Sequence, residues 1–239
     1  MRTYAVIPAR YNSTRFPGKP LALINGQPMY LWAYRACETC HQVDKVIIAT
    51  DDERIRANAL SYGCNVEMTG PCSSGTDRIH EVVRALSLDS TDLLVNVQGD
   101  EPLIQASHID ILFDHMRANT RSVMATLAIP ISFDRAISYN VVKVVRDHSN
   151  RALYFSRCPI PHNSSRYLKH IGIYAYRVST LALLCALPQA EIEQAESLEQ
   201  LRALDHGISI DVLLTDQDTI AVDTPQDIKL VEEQLRQVV

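Results

Sequence analysis

Short apolar runs alternate with helix-like segments along the chain as far as Pro130, and this rhythm constrains the fold more than any other feature. Tyr4–Pro8, Val46–Thr50, Val66–Met68, Leu93–Val97 and Val123–Ile129 read as strands. Between them lie helical patterns at Pro28–Cys37, from Asp51-Asp52 to about Tyr62, at Thr76–Leu86 and at Ser107–Ala118. Pro28 is tolerable in a first turn and Gly63 is a stop signal. Such β-α-β-α order predicts an α/β fold, a mostly parallel sheet with helices on both faces. In such sheets ligands gather beyond the carboxyl ends of the strands. The polar loops after Pro8, Met68 and Val97 all leave carboxyl ends and are expected to converge on one site.

The pattern changes after Pro130. Val141–Arg146, Ala152–Ser156 and Ile171–Tyr176 are closely spaced strand candidates, which predicts a small antiparallel or mixed insertion over about 130–176. Helices are expected again at Thr180–Leu187 and Leu198–His206, a strand at Ile210–Leu214, and a closing helix at Pro225–Gln237. With 239 residues and 46% hydrophobic content, the chain reads as a single domain with a substantial core. A net charge of −5 supplies no electrostatic reason to bind nucleic acid or an anionic membrane. No apolar run approaches the roughly 20 residues of a membrane span. The first strand starts almost at once, so the expectation is a chain without a secretory leader, in the cytoplasm. The six cysteines are therefore read as thiols. Cys37-Glu38-Thr39-Cys40-His41 matches the spacing of covalent haem attachment, but it ends a helix, lacks an export context and has no second ligand pair nearby.

Strand Tyr4–Pro8 empties into a loop carrying Arg10, Arg15 and Lys19 beside Gly18. Fixed cations and exposed backbone N–H groups suit a polyphosphate, although the loop is also readable as ordinary solvated surface. No G-x-G-x-x-G follows the first strand, and Gly18-Lys19-Pro20 lacks the hydroxyl residue of a P-loop. Asp100 follows Gly99 past strand Leu93–Val97, and Asp223 stands at the entry to the last helix. A magnesium ion that also holds phosphate oxygens takes one or two protein carboxylates, so these two are candidate ligands. Alternatively Asp100 is a turn residue, and Asp223 or Thr224 is a helix cap.

Eight segments, in order, resemble the 3-deoxy-manno-octulosonate cytidylyltransferases, the CMP-Kdo synthetase family of lipopolysaccharide synthesis. They are Ile7–Pro20, Ala49–Asp52, Ser74–Arg78, Asn96–Pro102, Ala152–Arg157, His170–Tyr174, Leu198–Arg202 and Val222–Pro225. The resemblance implies a nucleotide-diphospho-sugar transferase type of fold, Mg²⁺, CTP and an acidic eight-carbon sugar as substrates, and a homodimer. It implies that Arg10 and Lys19 grip the triphosphate with Arg15 nearby. Ser13, Ser74 and Gly75 are then expected to line the cytidine pocket, and Asp100 and Asp223 to hold Mg²⁺. Arg78 and Arg157 are expected to face the sugar acid, and Gln98, His170, Tyr174 and Glu199 to bond its hydroxyls. Read without the resemblance, His170 and Tyr174 are equally packing residues of a strand, and Glu199 an i,i+3 partner of Arg202. The insertion is expected to serve sugar binding and dimerisation.

This chain departs from the family pattern in two places. Ala221 stands where a glycine is usual, and the segment His162–Arg166 is short and lacks the usual aromatic. The alternatives to this sugar are its 8-amino analogue and the substrate of a capsule-pathway relative. A sialic acid transferase is disfavoured by Tyr154–Arg157 and His170–Tyr174, and a non-catalytic nucleotide-binding protein by the presence of Lys19, Asp100 and Asp223.

Overall fold

A computed structural model describes residues 1–12 and 16–237. The chain divides into two compact units, Met1–Asp110 with Thr219–Val239, and Ile111–Asp218.

The first unit contains β1 (Thr3–Pro8), β2 (Leu23–Ile24), β3 (Gln27–Pro28), α1 (Met29–Thr39), β4 (Lys45–Thr50), α2 (Glu53–Ser61), β5 (Val66–Met68), α3 (Gly75–Ala85) and β6 (Leu93–Asn96). The unit boundary falls within α4 (Ala106–Ala118). β6, β1, β4 and β5 lie side by side in that order, all parallel. Thr3 to Ile7, Val46 to Thr50 and Leu93 to Asn96 are buried at every position. A strand whose side chains alternate between two faces is buried throughout only if both faces are covered, as in a doubly covered parallel sheet. Asp52 caps α2, its side chain accepting from Arg54 N, and Ser74 caps α3, accepting from Asp77 N. β2 and β3 form a hairpin whose central residues, Asn25 and Gly26, both have positive φ (46° and 78°). That is the backbone of a type I′ turn, the one Asn-Gly favours.

The cysteine pair has a packing role. Cys37 and Cys40 are 0% and 3% exposed, and Cys40 Sγ donates to Asp110 Oδ1 at 3.2 Å. Burial raises both thiols, Cys40 to about 11, which favours the protonated form at neutral pH.

The second unit holds β7 (Met124–Ile131), α5 (Phe133–Ala136), β8 (Lys143–Arg146), β9 (Ala152–Ser156), β10 (Tyr167–Arg177), α6 (Val178–Ala186), α7 (Glu191–Glu196), α8 (Leu201–Asp205) and β11 (Asp211–Leu214). β11 runs parallel to β7, whereas β7 with β10, β10 with β8, and β8 with β9 are antiparallel. The expected antiparallel insertion is therefore the β8–β9 hairpin together with β10. The first unit is completed by α9 (Pro225–Gln237), as expected from sequence.

Two of the expected elements take a different form, and β2, β3, α5 and α7 were not expected. The helix expected over Leu198–His206 is only the short α8, because α7 ends at Ser197 in the left-handed region (φ 53°) and Leu198 N then turns back to Glu193 O. Arg202 of α8 makes two bonds to Glu193, at 2.6 and 2.9 Å, and both side chains are buried. β10 is longer than expected and is interrupted by a register shift between Ile171 and Tyr174, around Gly172. Glycine inside a strand marks such irregularities. Thr126 Oγ1 lies 2.7 Å from Ile173 O, 3.2 Å from Ile171 O and 3.0 Å from His170 Nε2. Its single proton goes to a carbonyl of the bulge, so its oxygen accepts from the imidazole and holds His170 in the Nε2–H tautomer.

Burial pushes the His170 imidazole from its ordinary 6.5 down to about 3. The unfolded chain takes up this proton as pH falls below the ordinary value, while the folded protein resists until about 3. The contribution to stability is thus complete above 6.5 and is lost as pH falls through that window. Between about pH 7 and about pH 5, His170 should account for roughly 2 kcal/mol of the lost stability. Urea unfolding of wild type and His170→Gln at both pH values checks this: the variant should lose less stability on acidification, and equal losses would contradict it.

Candidate active site

The loops at the carboxyl ends of the parallel strands are drawn together by short backbone contacts. Gly99 follows β6, and a Cβ there would sit 3.4 Å from both Ile7 Cγ2 and Pro8 O. The absence of a side chain lets the loop after β6 lie on the end of β1. Gly75, the first residue of α3, lies against the Pro8 ring. Gly18 has φ 71° and its N–H bonds Tyr11 O at 2.9 Å, closing the basic loop on itself. The Arg54 guanidinium lies 3.3 Å from the centroid of the Tyr11 ring and pairs with Asp52, fixing the other side of that loop.

Lys19 follows Gly18 in a single 3₁₀ turn and points inward. Its Nζ bonds Asp100 Oδ2, donates to Val222 O at 2.9 Å and lies 3.8 Å from Asp223 Oδ1. The last segment is anchored in turn by Val222 N donating to Asp100 O at 2.9 Å. Val222 is fully buried in an apolar cluster with Ile24, Met29, Leu103 and Val231. Asp227 Oδ2 accepts from Asp223 N, Thr224 N and Thr224 Oγ1, so the start of α9 is closed by a carboxylate reaching back from inside the helix. Asp223 consequently presents its carboxylate to Lys19. The sequence alternatives for a cap of α9 were Asp223 and Thr224; the carboxylate that accepts from the backbone here is that of Asp227. Two carboxylates separated by well over a hundred positions in the chain converge on one cationic centre.

Of the other nucleotide candidates, Arg10 is exposed just past β1, after Ala9, whose N–H bonds Ala49 O at 2.8 Å. Ser74 spends its hydroxyl oxygen on capping α3. Ser13 and Arg15 lie outside the described residues.

The sugar candidates fall in both units. In the first, Arg78 is 3% exposed, and its guanidinium bonds Thr69 Oγ1 and, at 3.0 Å, Asp51 Oδ2. Gln98 Nε2 donates to Asn96 Oδ1 at 3.1 Å. In the second unit, His170 packs edge-on against Phe155, and its ring centroid is 5.3 Å from that of Tyr174. The Tyr174 hydroxyl is buried and has no hydrogen-bond partner among the described residues. Burial, with Tyr176 and Glu199 nearby, holds its pKa well above the ordinary phenol value. His170 and Tyr174 are packed residues, and a buried, unpartnered phenol is also the kind of group a polyol ligand satisfies. Arg157 follows β9, with Nε on Glu196 O (3.2 Å), Nη1 on Tyr139 O (3.3 Å) and the guanidinium 5.2 Å from the Tyr139 ring centroid.

Sequence reasoning did not single out Val222 O, Asp227, Asp51 or Glu196 as parts of these arrangements. The signal for Asp227 was present as a Thr-x-x-Asp spacing at a helix start. A backbone carbonyl such as that of Val222 leaves no such trace.

Comparison with known proteins is consistent from three directions. A family model described as cytidylyltransferase matches residues 4–210. A 3-deoxy-manno-octulosonate cytidylyltransferase of Syntrophobacter fumaroxidans is 46% identical, over 97% of this chain and 96% of that protein. One of Myxococcus xanthus is also 46% identical, over 98% of this chain and 97% of its own length. A solved structure of a CMP:2-keto-3-deoxy-manno-octonic acid synthetase complexed with CTP superposes with a TM-score of 0.94 at 40% identity, covering all of both chains. The α/β fold with its mostly parallel sheet is thus that of a nucleotidyltransferase, and the chain belongs to the 3-deoxy-manno-octulosonate cytidylyltransferase family.

Proposed function

We propose that the protein transfers CMP from CTP to the anomeric hydroxyl of 3-deoxy-D-manno-octulosonate, releasing pyrophosphate. The observation that carries this reading is the convergence of Asp100 and Asp223 on Lys19 at the carboxyl end of the parallel sheet. In the reaction the hydroxyl oxygen bonds the α-phosphorus, the bond from that phosphorus to the bridging oxygen breaks, and the hydroxyl proton is lost. An acidic nucleophile must therefore approach a highly negative triphosphate, and the work falls on positioning and charge. Lys19 and Arg10 are assigned to the charge that develops on the leaving pyrophosphate. The Nζ that bridges the carboxylates serves the triphosphate as well, since lysine carries three donors on a flexible four-carbon stem.

Asp100 and Asp223 fit a Mg²⁺ ion. They are hard oxygen donors already facing one cation, and two carboxylates suffice when phosphate oxygens complete the shell. No group of three or more acidic, His or Cys side chains suited to a metal occurs among the described residues. Bound there, Mg²⁺ would neutralise phosphate charge and lower the pKa of the attacking hydroxyl. Arg157 is read as the partner of the sugar carboxylate, whose planarity suits a guanidinium. Tyr174, His170 and Glu199 are read as lining the pocket for its hydroxyls, supported by the unpartnered phenol. Arg78 and Gln98, in the first unit, are read as further sugar-binding residues.

The same reading takes the protein as a cytoplasmic homodimer serving lipopolysaccharide synthesis, with 130–176 as the sugar-binding and dimerisation insertion of one nucleotidyltransferase domain. Exposed apolar side chains at Phe133, Ile137, Tyr139 and Leu153 support an interface there. No described helix is long and apolar enough to cross a membrane.

Pyrophosphate release from CTP with a panel of sugar acids tests the substrate assignment; the 3-deoxy-octulosonate should be turned over best, and equal use of a sialic acid would refute it. Asp100→Asn should reduce turnover by roughly 10²-fold or more with an unchanged circular dichroism spectrum. Near-normal turnover would remove Asp100 from the site. Lys19→Ala should raise the KM for CTP by about tenfold or more and affect the sugar KM much less. An unchanged CTP response would take Lys19 out of the triphosphate site.

A further inference from the structure

Lys143, at the start of β8, is 0% exposed. Its ammonium donates to three backbone carbonyls: Ser138 O at 3.0 Å, Val141 O at 2.6 Å and Arg157 O at 2.6 Å. These acceptors use all three of its protons. Burial holds its pKa below the ordinary lysine value, while the neighbouring Glu196 acts in the opposite direction. A buried charge is costly, and an apolar side chain of similar volume serves a fold at least as well. The ammonium therefore calls for an explanation in what it holds.

What it holds is Arg157, from one side. From the other, Glu196 Oε2 accepts from Arg157 N at 3.0 Å, and Glu196 Oε1 accepts from Ser156 Oγ at 2.7 Å. Both peptide groups of Arg157 are thus gripped by opposite charges, one from fourteen residues before it and one from 39 residues after it. The same ammonium bonds carbonyls on either side of Tyr139, whose ring and carbonyl meet the Arg157 guanidinium. One buried charge therefore ties the arginine and its aromatic shelf together. With Nε and Nη1 on carbonyls, the remaining nitrogen, Nη2, has no partner among the described residues.

We propose that Lys143 and Glu196 are positioning residues that lock Arg157 in the orientation that receives the carboxylate of the sugar acid. The proposal rests on the reading of Arg157 as the sugar-acid partner. The test is steady-state kinetics of Arg157→Ala, Lys143→Met and Glu196→Gln, and of the last two each combined with Arg157→Ala. Lys143→Met and Glu196→Gln should raise the KM for the sugar acid by about tenfold to a hundredfold, as expected for a misplaced binding group, and change the KM for CTP by less than about twofold. In the Arg157→Ala background each should have little further effect, because nothing remains to be positioned. A parallel rise in both KM values, or the same factor with and without Arg157, makes the clasp merely structural and overturns the proposal. A normal sugar KM in Arg157→Ala alone refutes the reading beneath it, and is told apart by that single variant. If Lys143→Met does not fold, Glu196→Gln decides by the same criteria.

Discussion

The Lys19 ammonium, set against the Asp100 carboxylate and the Val222 carbonyl with Asp223 close by, is the interaction that ties the loops of the first unit together. Two ionised carboxylates brought to one centre repel each other, and a counter-charge offsets that repulsion. Lysine supplies it from a loop held by a left-handed glycine and a Tyr11 carbonyl. The anchoring is apolar as much as polar: buried Val222 brings its own carbonyl and the adjoining Asp223 into register. Catalysis of phosphoryl-group transfer relies on pre-set charge more than on covalent work by side chains. A site made of one cation, two carboxylates and rigid backbone is consistent with that demand.

The second unit solves a different electrostatic problem with the same economy. A guanidinium can be held in place without being neutralised. Arg157 is held by carbonyl oxygens and an aromatic face, which orient the group and leave its charge intact. The neighbouring carboxylate of Glu196 is spent on backbone and serine donors. Around His170 and Tyr174 the aim is neutrality instead: burial keeps the imidazole unprotonated and the phenol protonated, so both present dipoles and no charge.

Much of this was legible before any coordinates. β5, β9 and α9 coincide with their expected bounds, and the other parallel strands lie within a residue or two, because continuous apolar runs between turn residues have few alternatives. The β2–β3 hairpin was not read: Asn25-Gly26 carries its turn signal, but its strands are too short to register as periodic. The region from Ser197 to His206 was not, since a polar, helix-favouring stretch carries no mark of the left-handed residue that breaks it. The register shift in β10 had only Gly172 to announce it.

Sequence alone determined the element order, the basic loop at the end of the first strand and the identities of Lys19, Asp100 and Asp223, because these depend on local pattern and residue chemistry. Tertiary structure alone decided that the two aspartates meet on one ammonium, that Arg202 pairs with Glu193, and that a buried lysine grips the backbone of Arg157. Those pairings depend on carbonyl positions and distant packing. A backbone carbonyl is the same in every residue and leaves no letter in the sequence, so only the folded chain reveals which ones a buried charge will find.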